Sequence, residues 1–184
     1  MENKSFMKES VTPVIVLLCI CLITTLALAA VHAVAQPTID ANQQKAADEA
    51  RMEVLPEGDS FTKYDGKLVG GVTEAYIADN KAGMAVTAEY KGFGGAVTVM
   101  TGIDANGAIT GVKVTSHNET PGLGTKAADP TYLEQYKGVT DATAGHINDD
   151  ANVDAVTGAT ITSNAVYGSV VEALAQYKEC GGVK

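Results

Sequence analysis

The feature that most constrains this chain is an uninterrupted apolar segment near its N-terminus. Residues 11–35 contain no Asp, Glu, Lys or Arg. A helix of this length, rising about 1.5 Å per residue, crosses a hydrocarbon core of roughly 30 Å. A cleaved signal peptide is the alternative, with Ala33-Val34-Ala35 as its cleavage site, but the apolar part of a signal peptide runs only about 7 to 15 residues. We therefore predict a retained transmembrane helix over residues 11–35.

Few cations flank this segment, and they favour one orientation. Lys4 and Lys8 precede it, whereas Arg51 follows only at a distance. Cationic flanks stay in the cytoplasm, so residues 1–10 are predicted to form a cytoplasmic N-terminus. The chain would cross the cell (inner) membrane once and place the rest outside the cytoplasm. The segment holds no acidic residue and so offers no path for an ion.

Composition limits the partners of the remaining chain. The net charge is -9 at pH 7, which repels phosphate backbones and excludes nucleic acid as a partner. Aromatic residues make up only 5% of the chain, so the core is expected to use small and β-branched side chains. Cys19 and Cys21 lie in the apolar segment and Cys180 lies near the C-terminus, which gives no disulfide framework and no metal site. Apolar filling explains the two membrane cysteines better than cluster ligation with another chain.

A polar linker separates the apolar segment from a domain. Residues 36–58 are predicted to form a helical stalk, with a helix from Thr38 to Glu53, and a disordered tether is the alternative. The helix is expected to dock at its far end through Met52, Val54 and Leu55. A turn at residues 56–59 then opens a domain over residues 59–179, followed by a tail over residues 180–184.

Short strands separated by turn residues dominate the first half of this domain. Runs at 68–78 and 84–90 flank a loop and predict one hairpin. A second hairpin turns at Asp104-Ala105-Asn106-Gly107, with a bulge near Gly111, and its inward-facing residues are Val97, Val99, Ile103, Val112 and Val114.

Two helices are predicted to follow the strands. Asp129-Pro130 opens a short helix as its cap and first-turn proline. A second helix, from about Thr162 to Lys178, begins at a Thr162 or Ser163 cap and buries Val166, Val170, Val171 and Leu174. The fold class is therefore α+β: one N-terminal transmembrane helix, then an antiparallel sheet with flanking helices.

Three segments carry candidate chemistry: the glycine-rich stretch 91–95, the loop 117–124 and the run 154–160. Taken singly, they are explained by a bend, a turn and a helix cap. The third ends in Thr160, just before a predicted helix. A phosphate on that hydroxyl would face unpaired N–H groups and the positive end of the helix dipole, so Thr160 either caps the helix or carries an attached group.

Together and in this order, the three segments resemble the FMN-binding domain of the G subunit of the Rnf complex, a membrane-bound ion-translocating ferredoxin:NAD oxidoreductase. They also resemble the C subunit of the sodium-pumping NADH:quinone oxidoreductase. In that family the pattern Asp-x-x-Ser/Thr-Gly-Ala-Thr is the flavinylation motif, and it is matched here at Asp154, Thr157, Gly158, Ala159 and Thr160. The resemblance implies FMN attached covalently to Thr160 by a phosphoester. The chain is short for the quinone-reducing relative, which favours Rnf.

The resemblance also implies a binding site around the flavin. Thr157, Gly158 and Ala159 would border the attachment point, and the loop residues Glu119, Thr120, Gly122 and Leu123 would approach the ring, with Leu123 as an apolar wall. Two residues keep two interpretations each. His117 is either a proton partner of the flavin or a strand-end histidine, and Asp154 serves either recognition by a flavin transferase or a hydrogen bond in the turn before Thr157.

The implied function is electron transfer within an ion-translocating oxidoreductase complex, without substrate turnover by this chain alone. Its implied partners are the other Rnf subunits, a flavin transferase during maturation, and the lipid bilayer. The C subunit of the sodium-pumping enzyme and a free-standing anchored flavoprotein are alternatives with the same chemistry. A non-redox anchored binding module, in which the threonine segment only caps a helix, is the alternative from another class.

Overall fold

The computed structural model describes residues 11–183, so the predictions for residues 1–10 and for Lys184 lie outside the described residues. The chain divides into two compact units, one ending at Ala46 and the other beginning at Ala47. The second unit contains the sheet, the shorter helices and the last turns of the first helix.

The first helix, α1, covers Thr12–Val54 without a break. No new helix begins at Thr38, because Pro37 is accommodated inside α1, where its ring leaves one helical hydrogen bond unmade. Within the apolar part, the hydroxyls of Thr24 and Thr25 donate to carbonyl groups one turn earlier, so these polar groups are satisfied inside the helix. With a mean hydropathy of 3.0 over its most apolar window, α1 is long and apolar enough to cross a membrane.

Five antiparallel strands form one sheet in the order of the sequence. Both predicted hairpins are confirmed by the pairing of neighbouring strands. The pairing of β4 with β5 passes from Gly102–Gly111 to Ile103–Ile109, which leaves Thr110 as the bulge predicted near Gly111. The strands are β1 (Phe61–Lys63), β2 (Val72–Ala78), β3 (Gly83–Lys91), β4 (Ala96–Asp104) and β5 (Ile109–Ser116).

Alternate residues of the central strands face two separate cores. Met84 and Val86 of β3 and Val99 of β4 belong to the larger core. Ala85 and Met100, on the opposite face, belong to a smaller core with residues from the end of α1. Each face of the sheet is therefore covered by one helix.

Helices and short 3₁₀ turns follow the sheet. Asp129 caps α2 (Pro130–Leu133) by accepting a hydrogen bond from the Thr131 N–H, as predicted. The last helix, α3, covers Thr160–Glu179 and buries Val166, Val170 and Leu174 as predicted, while Val171 is half-buried. The 3₁₀ turns are Gly124–Ala128, Glu134–Tyr136 and Ile147–Asp149.

The last turn of α1 rests directly on the backbone of two paired glycines. A Cβ atom on Gly102 would overlap the carbonyl oxygen of Val54, and Gly111 lies under the same residue. The Thr110 hydroxyl donates to that carbonyl. Val54 is buried as predicted, whereas Met52 is exposed.

The docking residue next to Val54 is the buried Arg51 and not Met52 as predicted. The Arg51 guanidinium carbon lies 3.6 Å from the centre of the Tyr76 ring on β2, and the same side chain pairs with Asp48. The close backbone contact and the cation–π contact therefore add to the small apolar core between the end of α1 and the sheet.

The glycine contact predicts a position-specific loss of stability. Gly102→Ala would force the Val54 backbone away from β4, which costs about 1 to 3 kcal/mol by overpacking and lowers the Tm by several degrees. Gly145→Ala is the matched control, because a Cβ atom there meets no other atom within 4 Å. Thermal unfolding of the full chain in detergent measures both variants, and equal Tm values for the two would contradict the expected cost of overpacking.

Candidate functional site

A groove of about 430 Å³ opens at the start of α3. It brings together six of the eight residues assigned to the flavin from the sequence, whereas Gly122 and Thr157 do not line it. Sequence reasoning did not assign the other four lining residues, Phe93, Gly124, Ile161 and Thr162, to the flavin site. The lining comprises Phe93, Glu119, Thr120, Leu123, Gly124, Gly158, Ala159, Thr160, Ile161 and Thr162.

A tight turn immediately precedes α3. The Ala159 N–H donates to the Val156 carbonyl at 2.9 Å, and Gly158 has a φ of 81°, a left-handed conformation that favours glycine. Ala159 is the cap residue of α3 and provides no side-chain hydrogen bond to the first turn. The first N–H groups of a helix have no partner within the helix, so the groove ends at a helix start without a side-chain cap.

Four hydroxyl side chains lie within or beside this turn, and they differ in burial and in hydrogen bonding. Thr157 is exposed, and Thr160 is half-buried in the groove. Thr162 and Ser163 are buried, at 3% and 0% exposure. The Thr162 hydroxyl donates to Glu119 at 2.7 Å, and the Ser163 hydroxyl accepts from the Val156 N–H at 3.0 Å.

These contacts correct the predicted start of the helix. Thr162 and Ser163 do not cap α3, which begins two residues earlier at Thr160. Their hydroxyls bind a distant loop and the preceding turn instead of the first N–H groups of the helix. Ser163 holds the turn against α3, and Thr162 connects α3 to the loop 117–124.

Glu119 lines the groove, but its carboxylate is engaged within the protein. The residue is only 7% exposed. Its Oε1 accepts from the Gly94 N–H at 3.0 Å, and its Oε2 accepts from the Thr162 hydroxyl. Cβ atoms on Gly92 or Gly124 would overlap this carboxylate, so two glycines provide the space that it occupies.

The loop that carries Leu123 is held by its own hydrogen bonds. The Leu123 N–H donates to the Thr120 carbonyl at 3.2 Å, and the Gly122 N–H donates to the Thr125 hydroxyl at 2.9 Å. Gly122 has a φ of 78°, which explains the glycine at this position. The Leu123 side chain lies next to Gly158, so the loop and the turn meet across the groove.

Large apolar side chains surround the groove and are exposed to solvent. Phe93 is 73% exposed, Ile161 is 56% exposed and Leu123 is 47% exposed. A phenylalanine between the glycines of the stretch 91–95 is the sequence signal that could have identified Phe93. Exposed apolar side chains grouped around a concave surface are typical of a ligand site.

The loop before the turn is anchored to α3. The Asp150 carboxylate accepts from the Tyr167 hydroxyl at 2.7 Å, and the Ile147 N–H donates to the Asn164 side chain at 3.0 Å. Hydrogen bonds from Asn152 and Tyr167 hold the pKa of Asp150 below its usual range. Burial and the Asp150 carboxylate raise the pKa of Tyr167 to about 12.

His117 and Asp154 lie outside the groove lining. The His117 Nδ1 accepts a hydrogen bond from the Glu119 N–H at 3.3 Å. This contact within the loop favours a structural role for His117. Asp154 is exposed and is held through its backbone, whose N–H donates to the Gln135 side chain at 2.7 Å. The turn after Asp154 is closed by backbone atoms and Ser163, so its carboxylate is not needed there.

Known protein families and proteins resemble this chain. Residues 92–175 match the FMN-binding domain family, a range that contains every lining residue of the groove. The G subunit of the proton-translocating ferredoxin:NAD(+) oxidoreductase complex of Clostridium ljungdahlii is 32% identical over 89% of each chain. The G subunit of the Na(+)-translocating complex of Acetobacterium woodii is also 32% identical over 89% of each chain.

Among solved structures, the crystal structure of Shewanella oneidensis NqrC matches over 70% of each chain, with 24% identity and a TM-score of 0.44. The relatives confirm the resemblance that the sequence motifs suggested. This chain belongs to the family of G subunits of the ion-translocating ferredoxin:NAD(+) oxidoreductase, or Rnf, complexes.

Proposed function

We propose that this chain is an electron-transfer subunit of a membrane-bound Rnf complex and that it carries FMN covalently on Thr160. The observation that supports this most strongly is the position of Thr160. This residue lines the groove and is the first residue of a helix that has no side-chain cap. A hydroxyl there is available for modification, whereas Thr162 and Ser163 are buried and hydrogen-bonded.

The attachment is a phosphoryl transfer onto Thr160. The threonine oxygen loses its proton and forms an O–P bond to the flavin phosphate, while a phosphoanhydride bond of an activated flavin nucleotide breaks and a nucleoside monophosphate leaves. The resulting diester keeps one negative charge. The positive end of the α3 dipole favours such a charge by about 0.3 to 1 kcal/mol, and the first N–H groups of α3 are available as donors.

The groove suits a flat, mostly apolar ring system. Its volume of about 430 Å³ lies in the range of small-molecule sites, which is about 300 to 1,000 Å³. Leu123, Phe93 and Ile161 supply apolar surface, and Thr120 is a polar residue of the lining. When bound, FMN supplies the reversible redox chemistry, and the residues of the groove hold and orient it.

Maturation requires a flavin transferase that reaches the turn before α3. Thr157, Gly158 and Asp154 are all exposed, and the Asp154 carboxylate is not used to close the turn. This favours recognition by the transferase as the role of Asp154. Gly158 carries no side chain beside Thr160, which leaves the approach to the hydroxyl open.

The apolar part of α1 anchors the subunit in the lipid bilayer by a single crossing. The N-terminus lies in the cytoplasm and the FMN domain lies outside it, because Lys4 and Lys8 precede the apolar segment. The chain performs no substrate turnover by itself and exchanges electrons with other subunits of the complex. A flavin that serves outside the cytoplasm benefits from a covalent bond, because a dissociated cofactor is lost.

Replacement of the attachment hydroxyl tests the proposed chemistry. Thr160→Val keeps the shape of the side chain, so we expect a folded protein without covalent FMN when it is co-expressed with an active flavin transferase. The measurement is flavin fluorescence of the denatured protein band. Thr115→Val, which removes an exposed hydroxyl of β5, is the control and should retain fluorescence.

Covalent flavin retained in Thr160→Val would contradict attachment at that residue. Tryptic cleavage after Lys137 and Lys178 leaves the neighbouring hydroxyls Thr157, Thr162 and Ser163 on one peptide. Mass spectrometry of that peptide identifies the modified side chain. Wild-type protein without fluorescence would instead favour an anchored binding module.

The orientation is tested by thiol labelling in intact cells. A cysteine introduced at the exposed Thr140, in a chain with Cys180→Ser, should react with a membrane-impermeant maleimide. The two remaining cysteines lie in the apolar segment, and the chain without the added cysteine is the control. Protection until the cells are lysed would place the domain in the cytoplasm.

Membership of a complex predicts co-purification from native membranes. A tagged chain solubilised in mild detergent should migrate together with iron–sulfur proteins and with the other subunits. Migration as a lone flavoprotein would instead identify a free-standing anchored electron carrier.

A further inference from the structure

Glu119 is a buried acidic residue at the flavin groove that pairs with no cation among the described residues 11–183. Among residues 11–183, none of the ion pairs includes Glu119. Both of its strong contacts are hydrogen bonds donated to it, the pattern of an ionised carboxylate. Burying such a charge costs free energy, which a neutral side chain at this position would avoid.

The two carboxylate oxygens connect three segments that are far apart in the sequence. Glu119 lies in the loop 117–124, Gly94 lies in the turn between β3 and β4, and Thr162 lies in the first turn of α3. Hydrogen bonds to a charged acceptor are stronger than those between neutral groups. One side chain therefore holds the groove wall that carries Phe93 to the helix turn that carries Thr160.

The spacing on α3 gives this connection a consequence for Thr160. Thr162 follows Thr160 by two residues in the same helical turn. Restraint of the Thr162 side chain therefore also restrains the backbone at Thr160. The glycines at 92 and 124 allow the carboxylate to reach both donors. This arrangement is specific, because a Cβ atom on either glycine would displace the carboxylate.

We propose that Glu119 is a positioning residue that clamps Thr162 and the glycine-rich turn, and thereby fixes the Thr160 hydroxyl for flavin attachment. This rests on the function proposed above. The clamp also keeps a negative charge beside the groove, which disfavours the addition of electrons to a flavin bound there.

The clamp is tested by the rate of covalent FMN incorporation in the full chain. Thr162→Val keeps the shape but removes the donor, and leaves a carboxylate oxygen buried without its partner. We expect incorporation at least about tenfold slower than in wild type, since a hydrogen bond to a buried charge is lost. Thr162→Ser restores the hydroxyl and should restore most of the rate.

Ser169→Ala is the matched control for a buried hydroxyl of the same helix. The Ser169 hydroxyl donates only to the Ala165 carbonyl, inside α3. This variant should incorporate FMN at the wild-type rate. Tm values of all variants show which of them fold.

Glu119→Gln provides a readout that a purely structural role would not change. Its amide can still bond Gly94 and Thr162, because the threonine hydroxyl can also accept, so mainly the charge is removed. We expect incorporation within about threefold of wild type and a flavin midpoint potential shifted to more positive values. The potential is measured by spectroelectrochemical titration of the flavinylated protein.

The outcomes separate this proposal from the function on which it rests. If no variant and no wild-type chain acquires FMN, the proposed function fails. If wild type and Thr162→Val acquire FMN at equal rates, the clamp is wrong and the attachment at Thr160 stands. An unchanged potential in Glu119→Gln would overturn the statement that the Glu119 charge acts on the bound flavin.

Discussion

The packing of α3 across one face of the sheet is the interaction on which the site depends. Val166, Val170 and Leu174 are buried against β3 and β4, and at the far end of α3 the Gln176 amide binds the backbone of Lys67 and Val69. Because α3 is held along its length in this way, the position of its first residues is fixed. Core packing therefore fixes the position of the groove. The loops that complete the groove are hydrogen-bonded to α3.

Much of the fold could be predicted from the sequence because its signals are local. Alternating valines and the Asp104–Gly107 turn encode the second hairpin, and even the bulge at Thr110 is visible as a break in that alternation. Asp129 and Pro130 encode the start of α2 in two residues. The continuous course of α1 through Pro37 was less visible, because proline normally ends a helix.

The internal contacts of the site could not be predicted, because they join residues that are distant in sequence. Thr162 and Ser163 are good cap residues by type, but the partner of Thr162 is Glu119, in a loop on the other side of the groove. The family resemblance predicts that Glu119 approaches the flavin, but it does not specify the contacts of this residue. The packing of Arg51 on Tyr76 could not be predicted for the same reason, because it depends on where the sheet lies.

The unequal burial of neighbouring hydroxyls bears on the maturation proposed above. In an unfolded chain, Thr157, Thr160, Thr162 and Ser163 would all be accessible to a modifying enzyme. The folded domain buries Thr162 and Ser163, whereas Thr157 is exposed and Thr160 lines the groove at the start of the helix. If the proposed transferase acts on the folded domain, tertiary structure would therefore remove two of the four competing acceptors before the enzyme arrives.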